Sequence, residues 1–219
     1  MILDVSKIEY KNFNERDVEV PALMSVVRRF IPGSVLDVGA HYSWYTYASG
    51  MRKLIPVGGY DAVDLLEDAK TAEIVDRYRV SDVGALARER PEFDMVFSVS
   101  VVEHVGIKPV RHPAARALRC EFVTAMLSMT KNVAFLTFPY GLYGECPGEA
   151  MNVTNDELTI FESLGASEEF ASETQFFQNK RPAFRERWFE VSRQEASSIP
   201  LTPALGATCV GLLLFRKES

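Results

Sequence analysis

Ser34-Val35-Leu36-Asp37-Val38-Gly39-Ala40-His41-Tyr42-Ser43 reads as a buried strand that ends in a sharp turn. Val35, Leu36 and Val38 suit a covered strand, and Gly39 lets the backbone come close to a ligand or to a tight neighbour. Residues 44–53 can enter a helix, weakened by Gly50. A strand, a turn and a helix N-terminus in that order make a pocket where polar ligand groups meet unsatisfied N–H donors. The same order also serves plain α/β packing, so the rest of the chain has to decide between them.

Composition narrows the classes. The chain has 219 residues, 47% of them hydrophobic, which is enough for one substantial core. A net charge of -6 argues against wrapping nucleic acid, so none is expected as a partner. Cys120, Cys146 and Cys209 are odd in number and widely spaced, which indicates neither a disulfide framework nor a CxxC metal or redox unit. No metal site is expected, and a reducing cytoplasm fits this usage. The opening residues hold no basic region followed by an apolar one, and no apolar run is long enough to cross a bilayer. The expectation is a soluble, cytoplasmic protein with no membrane partner.

Working outward from the first turn, Ile2, Leu3 and Val5 add a short strand or simply pack, and residues 7–18 show no firm period. Pro21 begins a helix that runs to Phe30, with basic residues near its end, and Pro32-Gly33 stops it. Downstream, residues 60–65 form the second strand, with Asp64 near its carboxyl end. A carboxylate there accepts both hydroxyls of a ribose, although it lies 27 residues after Asp37 rather than the usual number of about 20. The alternative is that Asp64 caps the segment that follows it. Asp82 either meets the amine of an adenine or caps the helix that starts at Val83. Residues 93–98 are a strong central strand. The repeated strand, turn and helix order predicts a mostly parallel sheet with helices on both faces and ligand candidates along its carboxyl edge.

The segment Phe93-Asp94-Met95-Val96-Phe97-Ser98-Val99-Ser100-Val101-Val102-Glu103-His104-Val105 resembles the fourth strand and following loop of the class I S-adenosylmethionine-dependent methyltransferases, FDxVxxxxxLEHV. Asp37 and Gly39 match the acid and first glycine of that family's DxGxGxG motif, while His41 and Ser43 stand at the later glycine positions. The resemblance spans residues 35 to 217. It takes in a fifth strand at 132–141, the helix opening Thr154-Asn155-Asp156-Glu157-Leu158, a sixth strand within 168–179 and a last strand at 208–215.

The resemblance implies a Rossmann-like, doubly wound α/β fold: a seven-stranded, mostly parallel sheet with a late antiparallel strand. Residues 1–33 are a helical addition and 34–219 the methyltransferase-like domain, together one compact unit. It further implies S-adenosylmethionine as cofactor. Gly39 would approach its amino-acid end, Asp37 its ammonium directly or through water, and Asp64 the ribose. Asp82 and Val83 would take the adenine, with Ser98 and Val99 beside the cofactor. His41 adds bulk where a glycine normally allows close approach, so it serves either as a ligand contact or as turn support.

His104 is the candidate catalytic group. A neutral imidazole can take the proton of a substrate hydroxyl as its oxygen attacks the methyl group, with Glu103 orienting the ring; binding or structural roles are the alternatives. Lys108, Arg111, His112 and Arg116 make either a basic entrance for an anionic group or a solvated loop and helix. Tyr140 and Tyr143 either wall a pocket or pack at the surface, and nearby Asn152 and Asn155 offer orienting hydrogen bonds, Asn155 alternatively starting the helix at Asp156. Residues 180–188 read as a basic, aromatic connector, solvated or used in an oligomer contact such as a homodimer, and residues 195–203 as an irregular loop. The expected function is methyl transfer to oxygen of a small-molecule acceptor. The alternative is a noncatalytic ligand-sensing or complex-forming protein in which His41 and Ser43 have weakened the cofactor turn. A nicotinamide-dependent oxidoreductase is disfavoured by the lack of GxGxxG after the first strand.

Overall fold

A computed structural model describes residues 1–4, 15–107, 114–142, 145–146, 150–180, 187–200 and 208–218. Val5, Lys108, Arg111, His112 and Tyr143, named above, lie outside them. The first helix, α1 (Arg16–Phe30), starts earlier than Pro21 predicts, and the proline sits inside it. Val18, Ala22, Leu23, Val26 and Val27 are buried and form one stripe, with acidic residues in the first turn and Arg28 and Arg29 in the last. The apolar stripe outweighs the single hydrogen bond that Pro21 cannot make.

β1 (Val35–Val38) runs into the Gly39 turn. The helix expected at 44–53 is two short ones, α2 (Ser43–Thr46) and α3 (Ala48–Arg52). The break falls at Tyr47, which has a φ of -133° and whose buried phenol donates to Asp37. β2 (Tyr60–Asp64), α4 (Ala69–Ala72), β3 (Arg77–Val80), α5 (Val83–Arg88) and β4 (Phe93–Val99) follow, and a single 3-10 turn covers Val102–His104. Then come α6 (Ala115–Ser128), β5 (Thr130–Pro139), a small separate pair β6 (Glu145–Cys146) and β7 (Ala150–Met151), and α7 (Asn155–Ser167). Thr154 and Glu157 form the capping box that opens α7. The chain ends with β8 (Phe170–Lys180), β9 (Arg187–Val191), α8 (Arg193–Ser197) and β10 (Cys209–Lys217).

The main sheet has eight strands in the order β3-β2-β1-β4-β5-β10-β8-β9, one more than expected. The first five are parallel; β10 is antiparallel to both β5 and β8, and β9 is antiparallel to β8. The extra strand is the segment read as a basic connector. Its charges mask two anchors, Trp188 and Val191, which are buried on opposite faces of the sheet. Likewise α8 replaces the start of the expected loop, opened by a Ser192–Glu195 capping box.

Alternate residues along each strand serve opposite faces. Val35, Met95, Phe97, Leu212 and Leu214 join α1 and α3 in one core, whereas Leu36, Val38, Val96, Leu213 and Phe215 join α5, α6 and α7 in the other. Helix α1 is therefore one of the layers covering the sheet. Ile2 and Leu3 pack without forming a strand, their N–H groups donating to Gln175 Oε1. Tyr140, a candidate for a pocket wall, is buried in the second core, and its hydroxyl donates to Asn155. Asn152 is buried and donates to the Leu142 carbonyl, while Arg116 is exposed on α6.

Candidate active site

Strand order reverses between β1 and β4, and in open α/β sheets the crevice outside the carboxyl ends of such a pair is where ligands bind. Gly39 and His41 follow β1, Asp64 ends β2, Asp82 follows β3, and Ser98, Val99 and the Glu103–His104 turn end and follow β4. The topology thus brings the carboxyl-edge candidates to one side of the sheet.

The β1 turn is not an open cradle of N–H donors. Gly39 N–H donates to the Val63 carbonyl, His41 N–H to Asp64 Oδ2 at 2.9 Å and Tyr42 N–H to Asp68 Oδ2 at 2.8 Å. Ser43 N–H donates to the Ala40 carbonyl and Trp44 N–H to Thr71 Oγ1. Gly39 has a φ of +82°, and a Cβ on it would lie 2.3 Å from a methyl of Val101. Its missing side chain admits a tight neighbour from the β4 loop.

Asp37 has no exposed surface, because it lies on the face of β1 that packs toward α3. Its carboxylate accepts from Tyr47 at 3.0 Å and from Tyr60 at 3.1 Å. Burial pushes its carboxyl up to about 7, opposed by the two phenolic hydrogen bonds and reinforced by the charge of Asp64. Asp64 Oδ1 accepts from Leu66 N–H at 3.0 Å, so each of its oxygens makes one backbone hydrogen bond and keeps a further lone pair. The helix cap expected of Asp64 belongs instead to Asp68. Asp82 is exposed and caps α5 by accepting from Ala85 N–H, and Val83 is buried at the start of that helix.

Three polar side-chain atoms of residues that end or follow β1 and β4 are buried without a hydrogen-bond partner among the described residues: His41 Nδ1, Ser98 Oγ and Glu103 Oε2. Ser98 is 1% exposed and Val99 4%. Unpartnered buried polar atoms are rare in folded proteins and call for an explanation such as a ligand.

The sequence reading missed the contribution of α1. Glu19 is fully buried, and its Oε1 accepts from Ser100 Oγ at 2.5 Å and from Thr137 Oγ1 at 2.7 Å, just beyond β4 and within β5. Its Oε2 pairs with Arg16 at 2.5 Å. The Arg16 guanidinium also lies within electrostatic reach of Tyr47 and Glu103. The i, i+3 spacing of Arg16 and Glu19 on one helical face was the available signal. Ser100 has a φ of +52°, a left-handed conformation that non-glycine residues seldom hold without a local reason.

Glu103 and His104 point differently. Glu103 is 2% exposed, and burial pushes its carboxyl up to about 8, reinforced by Glu19 and opposed by its own backbone N–H, Arg16 and Arg119. The His104 ring is 39% exposed at the rim, its Nε2 lying 3.7 Å from Glu103 Oε1. No group of His, Cys, Asp and Glu side chains among the described residues has the arrangement of a metal site. No described helix is long and apolar enough to cross a membrane.

No protein-family model matches the chain. No curated protein matches it by sequence. Solved structures do share its fold. The methyltransferase domain of bacterial CtHen1-CN is similar with a TM-score of 0.59 at 12% identity, over 94% of this chain and 100% of that one. Magnesium protoporphyrin IX methyltransferase (ChlM) from Synechocystis PCC 6803 with bound SAM is similar with a TM-score of 0.52 at 11% identity, over 98% and 88%. A Burkholderia thailandensis 1,6-didemethyltoxoflavin-N1-methyltransferase with S-adenosylhomocysteine bound scores 0.50 at 17% identity, over 92% and 79%. The chain therefore has the class I S-adenosylmethionine-dependent methyltransferase fold, with one added edge strand.

Proposed function

We propose that this protein transfers the methyl group of S-adenosylmethionine to an oxygen of a small-molecule acceptor. What supports the reading is the fold itself together with Asp64 at the carboxyl end of β2, bonded to the His41 N–H of the β1 turn, beside the β1–β4 switch point. S-adenosylmethionine supplies a methyl group activated on a sulfonium. Asp64 accepts the ribose hydroxyls with the lone pairs left over from its two backbone bonds. Exposed Leu65 and Leu66, directly after it, offer an apolar surface to the adenine, with Asp82 and Val83 on its far side. Ser98, Val99 and His41 line the middle of the site, and Gly39 with Val101 closes its floor. Asp37 acts from behind, holding Tyr47 and Tyr60 under the turn. His104 takes the acceptor's hydroxyl proton on its imidazole, and Glu103 steadies the ring.

A noncatalytic reading draws on two observations: the N–H donors of the β1 turn are already occupied, and Val101 fills the space over Gly39. Calorimetric titration of the cofactor-free protein with S-adenosylmethionine and S-adenosylhomocysteine separates the two readings. Saturable one-site binding followed by methyl transfer in an acceptor screen supports the enzyme. Failure of the folded protein to bind either compound favours the noncatalytic protein.

A further inference from the structure

Tyr42 holds a φ of +68°, in the left-handed region, yet it is 63% exposed. A bulky aromatic residue seldom adopts that conformation, and asparagine or glycine holds it with less strain. Tyr45 N–H donates to the Tyr42 carbonyl at 3.1 Å, which sets the two residues on one face of the turn, and Tyr45 is 77% exposed. Leu65 and Leu66, in the loop after β2, are exposed as well. The four side chains belong to one patch. Asp64 accepts His41 N–H at 2.9 Å on one oxygen and Leu66 N–H at 3.0 Å on the other, so a single carboxylate staples the β1 turn to that loop. Asp68 repeats the staple by accepting Tyr42 N–H at 2.8 Å. Together they expose on the order of 400–600 Å² of apolar surface, the size of a functional patch and of the apolar centre of an interface burying about 800 Å² per partner.

The charges beside the patch select its partner. Glu67 and Lys70 are exposed next to it, one anion and one cation, and the Lys70 ammonium sits 3.9 Å over the Trp44 ring. The Asp64 and Asp68 carboxylates are turned to backbone N–H groups. A surface with one exposed charge of each sign complements itself across a two-fold axis, whereas a strongly acidic or basic partner gains from one charge and loses from the other. We propose that this face binds a second copy of the chain, patch to patch about a two-fold axis, with Tyr42 and Tyr45 as anchors. The assembly goes beyond methyl transfer and does not depend on it. An adenine laid on Leu65 and Leu66 covers the leucine half of the patch and leaves the tyrosine half to the contact. The strained conformation of Tyr42 then has a reason, since its phenol serves the contact rather than the isolated chain. The homodimer contact expected at residues 180–188 lies elsewhere, at the β9 edge of the sheet.

Sedimentation velocity of the full, cofactor-free chain from about 1 to 100 μM is the test. The wild type is expected to approach a dimer and no larger species. Tyr45→Asp and Tyr42→Asn are each expected to weaken the dimer at least about thirty-fold. Phe189→Asp, at an exposed position of β9, should leave it within about two-fold. Urea midpoints taken at the dilute end separate contact from fold: Tyr42→Asn should match or exceed the wild type there, because asparagine holds a positive φ more readily. A wild type that stays monomeric throughout, an open-ended series of oligomers, a dimer that persists in either tyrosine variant, or one lost with Phe189→Asp overturns the assignment. Should Tyr42→Asn not fold, Tyr45→Asp decides alone. None of these outcomes bears on donor binding, which the titrations above decide.

Discussion

Ser100 Oγ donates to Glu19 Oε1 at 2.5 Å across 81 residues of sequence. The bond ties the helix that precedes β1 to the residue that follows β4, and Thr137 in β5 joins the same oxygen from 118 residues away. One buried carboxylate thus gathers three elements and holds Ser100 in its left-handed conformation, three residues before Glu103. Glu19→Ala removes the acceptor for the buried Thr137 hydroxyl and the part-buried Ser100 hydroxyl and one partner of Arg16, and is expected to destabilise the fold by about 2–4 kcal/mol, read as a lower urea midpoint. Glu19→Gln keeps an acceptor oxygen and should lose less. Equal midpoints for Glu19→Ala and the wild type would remove the clasp from the account.

Gly39 and Val101 form a second such pair. Gly39→Ala places a Cβ 2.3 Å from a Val101 methyl at a φ of +82°. The expected loss is about 2–4 kcal/mol, part overpacking and part backbone strain. Adding Val101→Ala should recover most of the overpacking and leave about 1–2 kcal/mol of backbone strain. Urea melts of the two single variants and the double variant measure this as a positive coupling; strictly additive losses would place the strain elsewhere.

Two of the buried carboxyls, Asp37 and Glu103, give stability a pH dependence. Asp37 is pushed up to about 7 and Glu103 to about 8 by burial, whereas in the unfolded chain they titrate near 4. Between those limits the native state binds more protons than the unfolded state, so stability falls as pH rises through about 4 to 8. Asp37→Asn and Glu103→Gln should each flatten the profile, by up to about 4 kcal/mol across the window. Denaturant midpoints from pH 5 to 8.5 check it. Variant profiles as steep as the wild type would rule these carboxyls out as the source.

Asp64→Ala removes the acceptor for two backbone N–H groups and, on the proposed function, for the ribose hydroxyls. Affinity for S-adenosylhomocysteine and for 5′-methylthioadenosine should fall together, by about ten-fold or more. Unchanged affinity for both probes would count against Asp64 as the ribose acceptor.

His104→Ala changes a partly exposed side chain and should leave the urea midpoint and the S-adenosylhomocysteine affinity near wild type. With an acceptor in hand, turnover should fall by about a hundred-fold or more if the ring is the base. Full turnover in this variant would assign the proton to the acceptor itself or to solvent.

The local pattern of residues determined strands β1, β2, β4, β5 and β10 and, with the motif resemblance, the class of fold. A strand buried on both faces is written as a short apolar run, and a helix start as Thr154 three residues before Glu157, so both can be read in place. The acid after β2 was legible for the same reason, since its position depends only on where that strand stops. Partners were not legible. Nothing near Asp37 states that its side chain turns toward Tyr47 and Tyr60, or that Val101 fills the space at Gly39. The charges around Trp188 concealed an eighth strand that pairs only because β8 offers it an open edge. The link from Arg16 and Glu19 to Ser100 and Thr137 is long-range, and only the tertiary structure decided it. Sequence periodicity encodes which way a side chain faces along its own element, whereas the identity of what it meets follows from how the sheet and helices are assembled.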